Sequence, residues 1–354
     1  MKWIIPVSCV LLAGISIVTL RSIAPDLMQR QSLYFLIGFA LFALVNAVSY
    51  LKLLKFSGLF YFLLIVSLVL LLLIGSTTRS TVRWIDLFGG FKIQPSQFAP
   101  IIVSLFLSSQ WLQIIVKGWR SFLRYFLIVL TPVGLVFLQP DFGTSLVLLI
   151  SFLSLMIFLN ISKKQLFVFS LIGSLLMIGV WGIMLKPYQR ARITNFFVGS
   201  ETEKAASYNA RQALIAVGSG GLYGRGLGAG VQSHLKFLPE RQTDFVFASI
   251  AEEWGFVGSL LIILVYSSFF FVLLYYLFQV NDSSKKVVIL VLLTNLFLQV
   301  VINIGMNMGL LPITGLTLPL LSYGGSSVIS FLLHFGIAFK IINQRHPEAK
   351  LRIC

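Results

Sequence analysis

The chain has 354 residues, of which 58% are hydrophobic and 11% charged, and its mean hydropathy is +0.95. Soluble domains carry about 25% charged residues, so the composition excludes a soluble globular protein. The 27 Lys and Arg against 11 Asp and Glu give +16, which in so apolar a chain reads as cytoplasmic-loop bias and attraction to anionic lipid, not as nucleic-acid binding.

A span needs about 20 largely apolar residues to cross about 30 Å of hydrocarbon. Apolar stretches fall at about 3–20, 32–50, 57–75, 97–116, 122–138, 144–160, 165–186, 255–279, 287–306 and 325–343. The pattern predicts an all-α polytopic membrane protein of about ten transmembrane helices, a single membrane domain over 1–354. One long extracytoplasmic loop, 187–254, joins helices 7 and 8. Ser22-Ile23-Ala24 resembles a signal cleavage site. The apolar run before it exceeds the roughly 7–15 residues of a signal core, and Pro25 follows, so it is read as a retained first helix. Cys9 and Cys354 form no disulfide framework or metal motif.

Placing both termini in the cytoplasm puts 14 of the 27 basic residues in short inner loops or tails, and most of the others on or beside the long segment. Long translocated segments largely escape the positive-inside rule. Nine of the eleven acidic residues then lie outside, Asp282 and Glu348 being the exceptions. Polar work is therefore expected on the outer face.

The long segment carries Leu214, Ile215, Val217, Leu222, Tyr223 and Leu227, too much apolar surface for disorder. It predicts short amphipathic helices on or in the outer leaflet. Six glycines fall within residues 220–230. Such a run either lets backbone N–H groups approach a phosphate or makes flexible turns in an exposed loop. It is not a Walker loop, since GxxxxGK[ST] is absent.

Asp244 stands where this segment re-enters the membrane, after Pro239-Glu240-Arg241 and before Phe245-Val246-Phe247. A partly desolvated carboxylate there suits a general base; Thr243-Asp244 ahead of an apolar run also reads as a helix cap. Glu252 and Glu253 follow two turns on, as partners or a separate polar patch. Asp141, in Gln139-Pro140-Asp141-Phe142-Gly143-Thr144, is a turn and cap residue or a second acidic site. The stretch from Asn303 through Pro312 and Gly315 to Ser327 breaks helix at membrane depth, which is tolerated only where backbone is buried in protein or lines a cavity. His234 and His334 have no neighbouring acidic or Cys/His cluster in sequence, so no metal site is expected from them.

Five motifs in order carry a family resemblance: Gln139-Pro140-Asp141-x-Gly143-Thr144-Ser145, Pro187-Tyr188-Gln189-Arg190-x-Arg192-Ile193, Phe237-Leu238-Pro239-Glu240-Arg241-x-Thr243-Asp244-Phe245, Ile250-Ala251-Glu252-Glu253-Trp254-Gly255, and Leu321-Ser322-Tyr323-Gly324-Gly325-Ser326-Ser327. The chain resembles the SEDS family of cell-wall proteins over about residues 32–343, its rod-shape branch more than its division branch. The resemblance implies a ten-helix peptidoglycan glycosyltransferase that polymerises lipid II on the outer face of the bacterial cytoplasmic membrane. The family's catalytic Asp falls on Asp244. A class B penicillin-binding protein, the cross-linking transpeptidase, and other elongation-complex proteins are the implied partners. In one place the chain departs from the family: Gln97 and Pro100 stand where a Glu and a Lys are usual after Gln94-Pro95-Ser96. Losing both members of a buried pair can be neutral where losing one is costly, so no catalytic role is carried to that position.

The expected chemistry is an inverting transfer with a lipid-pyrophosphate leaving group, which needs cations beside it. Arg190, Arg192 and Arg225 are the nearest candidates in sequence; Gln232, Glu240, Ser322, Tyr323 and Ser326 complete the expected substrate-binding set. A divalent cation, Mg²⁺ or Mn²⁺, would do the same work. The competing readings are a lipid II flippase and a non-catalytic scaffold of the synthesis complex. A flippase needs a polar path across the bilayer, and ionisable residues at mid-span are nearly absent.

Overall fold

The computed structural model describes residues 1–74, 83–86, 92–110, 118–158 and 204–344, with Lys164 and Phe167. Apart from Phe167, the expected span at 165–186 lies outside the described residues, as do Arg190 and Arg192. Where hydrocarbon offers no partner for a peptide group, the helix satisfies its own N–H and C=O groups, and these apolar runs are accordingly helical. Among the described residues the helices are α1 (Ile4–Ile23), α2 (Pro25–Ala47), α3 (Tyr50–Ile74), α4 (Ala99–Ser109), α5 (Trp119–Leu138), α6 (Phe142–Phe158), α9 (Val246–Gln279), α10 (Ser283–Asn307) and α11 (Gly325–Asn343), with α7 (Lys204–Ser219) and the single turn α8 (Val231–His234) in the long loop. Seven of these, α1, α2, α3, α5, α9, α10 and α11, are long and apolar enough to cross a membrane. The Pro95–Ser109 run and α6 are shorter apolar helices. The chain is an integral membrane protein, and large side chains such as Leu36, Leu73 and Phe278 are exposed where a bilayer would cover them.

Starts and stops follow local chemistry. Pro25 opens α2, where its missing N–H costs nothing. Asp282 caps α10 by accepting the Ser284 N–H at 2.9 Å. A two-residue antiparallel ladder, β1 (Ile85–Asp86) with β2 (Lys92–Ile93), precedes a 3₁₀ turn at Pro95–Phe98 and then α4. Glycines set the closest helix packing. A side chain at Gly38 of α2 would come within 2.5 Å of Leu332, and one at Gly336 of α11 within 3.1 Å of the Phe42 backbone. Small residues of this kind let membrane helices approach closely.

The sequence places the start of the eighth span at 255, but α9 begins at Val246. Its first part, 246–254, is a helical arm joined to the span by non-helical backbone at Gly255 (φ 68, ψ −161). Hydropathy hid the arm because Glu252 and Glu253 interrupt it; both are buried, at 0% and 2% exposure. The loop's expected amphipathic helix is present as α7, with Ala213 and Ala216 buried and Leu214 and Ile215 exposed. Contacts across the bundle bring one end of the spans together. Arg241 meets the last carbonyl of α1, Gln31 of α2 meets Ser322, and Gln94 meets both Ser326 and Asp141.

Candidate functional site

The site is built on a turn at residues 240–245. The Glu240 carbonyl, at a residue with φ 53, accepts the N–H groups of Thr243, Asp244 and Phe245 at 3.1, 3.1 and 3.3 Å. The Thr243 hydroxyl donates to the Glu240 carboxylate at 3.1 Å. Glu240, expected to bind substrate, thus braces the turn. Asp244 is half-buried, and its Oδ2 lies 3.7 Å from where a Cβ would stand at Gly315. Its carbonyl accepts from the amides of Asn303 and Asn307, each at 3.1 Å. The cap reading of Asp244 does not hold: the N-cap position of α9 is Phe245, and the Ala248 N–H goes to Asn307 Oδ1 at 3.1 Å.

The Ser322–Ser326 motif holds this turn in place. Ser322, 2% exposed, donates to the Thr243 carbonyl at 2.6 Å and accepts the Leu318 N–H at 2.8 Å. The Tyr323 N–H donates to the Gln242 carbonyl at 2.8 Å, while its half-buried ring lies 6.2 Å from that of Tyr34. Ser326 is buried and accepts the Gln94 N–H at 2.8 Å. The hydroxyls of Ser322 and Ser326, expected at the sugar or pyrophosphate, are engaged with the protein itself.

Residues 314–316 lie near both acidic turns: Gly143, two residues after Asp141, packs against Thr314 and Leu316, and the Asp244 carboxylate faces Gly315. The turn-and-cap reading of Asp141 is the one seen in its hydrogen bonds. Asp141 accepts the Thr144 N–H at 3.3 Å as a cap, and it is buried against Gln94 Nε2 at 3.1 Å and the Arg83 guanidinium at 3.4 Å. Arg83 also donates to the carbonyls of Gln139 and Pro140. Sequence reasoning passed over Arg83; the available signal was a cation next to Trp84, the second of two, with Arg79, beyond a long apolar run.

The glycine-rich stretch is neither a phosphate cradle nor a set of loose turns. Its N–H groups face inward: Arg225 donates to the Glu252 carbonyl at 2.9 Å and Gly226 to that of Glu253 at 3.0 Å. Gln232 and Ser233 donate to the Glu252 carboxylate at 2.8 and 3.0 Å, and the Ser233 hydroxyl adds 2.6 Å. Glu253 accepts from Ser22 at 2.5 Å, Gly228 N–H at 3.2 Å and His234 at 3.0 Å. His234 therefore does have an acidic neighbour, supplied by the fold and not by adjacency in sequence. The backbones approach so closely that a Cβ at Gly224 would lie 2.1 Å from the Glu253 carbonyl oxygen. The stretch is a strap, closed on the arm by two buried carboxylates.

Two expected substrate ligands belong to this strap. Arg225 is exposed and donates to the Ser219 carbonyl at 3.3 Å, and Gln232 serves Glu252 through its backbone. Among the described residues no three His, Cys, Asp or Glu side chains come together as a metal site.

Comparison with known proteins places this arrangement. The family model described as a cell cycle protein, covering FtsW, RodA and SpoVE, matches residues 4–346. A peptidoglycan glycosyltransferase MrdB of Escherichia coli (strain K12) is 33% identical over 294 residues, 82% of this chain and 78% of that protein. The stage V sporulation protein E of Bacillus subtilis (strain 168) is 36% identical over 323 residues, 88% of this chain and 86% of that one. A chain from a peptidoglycan synthase complex that coordinates polymerization and crosslinking superposes with TM-score 0.84 at 28% identity over 98% of both chains. The rod shape determining protein RodA of Thermus thermophilus superposes with TM-score 0.72 at 26% identity, again over 98% of both.

Proposed function

Because the chain belongs to the FtsW, RodA and SpoVE family of cell cycle proteins, we propose that it is a peptidoglycan glycosyltransferase that polymerises lipid II during cell elongation. The single observation that carries the reading is the half-buried Asp244 carboxylate, on a turn fixed by Asn303, Asn307 and Ser322, which joins the 237–245 and 321–327 motifs. Positioned carboxylates act as general bases when the proton to be removed is within hydrogen-bond reach. Asp244 takes the proton of the acceptor sugar's 4-hydroxyl. That oxygen forms a bond to the donor's anomeric carbon, the bond from this carbon to the lipid diphosphate breaks, and the diphosphate leaves with the electron pair. The stereochemistry at the anomeric carbon inverts.

The leaving diphosphate gathers negative charge, and fixed cations stabilise it. Arg190, Arg192 and Arg225 are assigned that role from the sequence. Arg83, with 23% of its side chain exposed, is a further cation at the same end. A divalent cation carried on the diphosphate is the alternative counter-charge, since Mg²⁺ is commonly held by substrate phosphates with one or two carboxylates. The site end faces outside and both termini face the cytoplasm of the bacterial cell. A class B penicillin-binding protein is the working partner, a reading supported by the likeness to a chain of a synthase complex. The gathering of carboxylates at one end supports a transferase over a flippase, which needs polar groups throughout its path.

The test is to incubate purified protein, with and without its partner transpeptidase, with labelled lipid II and look for glycan. Polymer that depends on Asp244 is the expected result; translocation of lipid II without polymer would overturn it.

A further inference from the structure

The first N–H groups of a helix lack intrahelical partners, and an Asp or Asn side chain is a favoured acceptor for them. At the start of α9 the acidic side chain nearest in sequence is Asp244, two residues before Val246. The acceptor that takes the Ala248 N–H is instead Asn307 Oδ1, at 3.1 Å, reaching over from the end of α10. The same amide donates from Nδ2 to the Asp244 carbonyl at 3.1 Å and to the Asn303 carbonyl at 2.8 Å. Asn307 is 0% exposed, so water does not compete for these bonds. The Asp244 carboxylate, for its part, lies beside Gly315.

We propose that Asn307 is a positioning residue for Asp244, a proposal that rests on Asp244 being the general base. Asn307 occupies the start of α9 with its own oxygen and fixes the Asp244 carbonyl with its nitrogen. The carboxylate is thereby kept off the helix N-terminus and directed to the Gly315 side, where an acceptor hydroxyl meets it. A carboxylate that accepts helix N–H groups at the positive end of the dipole is stabilised in its charged form and is a weaker base. Removing the Asn307 oxygen leaves a buried N–H that draws Asp244 to it. An aspartate at 307 keeps an acceptor for Ala248 but adds a second negative charge near the first, which makes Asp244 a stronger base. Among the described residues, the charged groups around this turn are Glu240 and Arg241 on the turn itself and the Arg83–Asp141 pair near residues 314–316; α7, which packs on Phe245 through Ala213 and Ala216, carries Lys204, Tyr208 and Arg211 in its sequence. Residues 287–324 add only the Tyr323 phenol.

The experiment measures polymerisation against pH on the full-length protein with its partner transpeptidase and labelled lipid II, with a thermal melt of each preparation. Asn307→Ala is expected to lower kcat about 10–100-fold, in line with the effect of an angstrom-scale misplacement, with KM within about twofold. Its acid limb moves to lower pH, while that of Asn307→Asp moves to higher pH. Opposite movements support positioning, because a purely structural amide would change the amount of folded enzyme and not the titration. An acid limb unmoved in Asn307→Ala overturns the proposal, whatever the loss of rate. Should the alanine variant not fold, Asn307→Leu, which keeps the volume and removes the acceptor, decides in its place: a lowered limb supports, an unmoved or raised limb overturns. Asp244→Asn, run alongside, separates the two layers. Near-normal polymer from it would remove the general-base reading itself, whereas an inactive Asp244→Asn with unmoved limbs removes only the role of Asn307.

Discussion

The Ser322 hydroxyl donates to the Thr243 carbonyl at 2.6 Å while accepting the Leu318 N–H at 2.8 Å. Two motifs separated by 79 residues in the chain therefore form one unit around Asp244. Ser322→Ala leaves a buried acceptor and a buried donor without partners, each costing about 1–3 kcal/mol. The expected outcome is a lower melting temperature and a lower kcat with little change in KM for lipid II. A raised KM with unchanged melting would show that Ser322 contacts substrate instead.

Asp244→Asn keeps the size of the side chain and removes its ability to accept a proton. Positioned bases contribute about 10²–10⁴-fold, so glycan formation should fall by at least that range. Binding of lipid II should survive, because a carboxylate beside a pyrophosphate repels it. Polymerisation and affinity, measured on one folded preparation, check both halves. Binding lost together with activity would recast Asp244 as a substrate-positioning residue.

Gly224 and Gly228 share a φ of 80°, yet only Gly224 is crowded: its added Cβ would lie 2.1 Å from the Glu253 carbonyl oxygen, while nothing lies within 4 Å at Gly228. Gly228→Ala should cost only the left-handed backbone penalty of about 1–2 kcal/mol. Gly224→Ala adds a clash with backbone that cannot swing aside and should cost about 3 kcal/mol or more. Melting curves of the two variants check the difference. Equal losses would mean that the strap does not sit on the helix break as described.

Gln97 is half-buried in the 3₁₀ turn, and Pro100 is buried in the first turn of α4. Gln97→Glu alone adds an unpaired charge and should destabilise, by a few kcal/mol where it is buried. Adding Pro100→Lys should recover much of that loss. Equal melting temperatures for the single and double variants would show that the two positions are uncoupled.

The spans were legible because about 20 apolar residues in a row have few other uses, and the Asp244 turn was legible as polar chemistry set against an apolar run. Buried Glu252 and Glu253 were not, since two adjacent carboxylates read as surface until one sees that N–H groups 19 to 25 residues away fold back on them. The glycine spacing announced a close approach, but not that the approaching partner is the chain's own backbone. Asn303 reads as the start of a helix-breaking stretch and Asn307 draws no notice, whereas the helix runs on through Asn307. Their meaning depends on which turn the bundle lays across them, and no local pattern carries that. Arg83 and Asp141 were separated by two spans, so their pairing had no local trace.

The contacts that tie the first two helices to the Asp244 end set the order of assembly. Ser22 closes on Glu253, 231 residues later; Ile23 closes on Arg241, 218 later; and Gln31 closes on Ser322, 291 later. At roughly 5–20 residues per second of synthesis, the first two helices wait in the bilayer for roughly 10–60 s before their polar partners exist. Ser16, whose hydroxyl ends on the Leu321 carbonyl, waits longer still. Loop closures of this length are formed late, so the end of the bundle that carries Asp244 is the last part of the molecule to take shape: a chain stopped before Tyr323 already contains Asp244 but lacks the Tyr323 N–H that holds the Gln242 carbonyl, and all of α11.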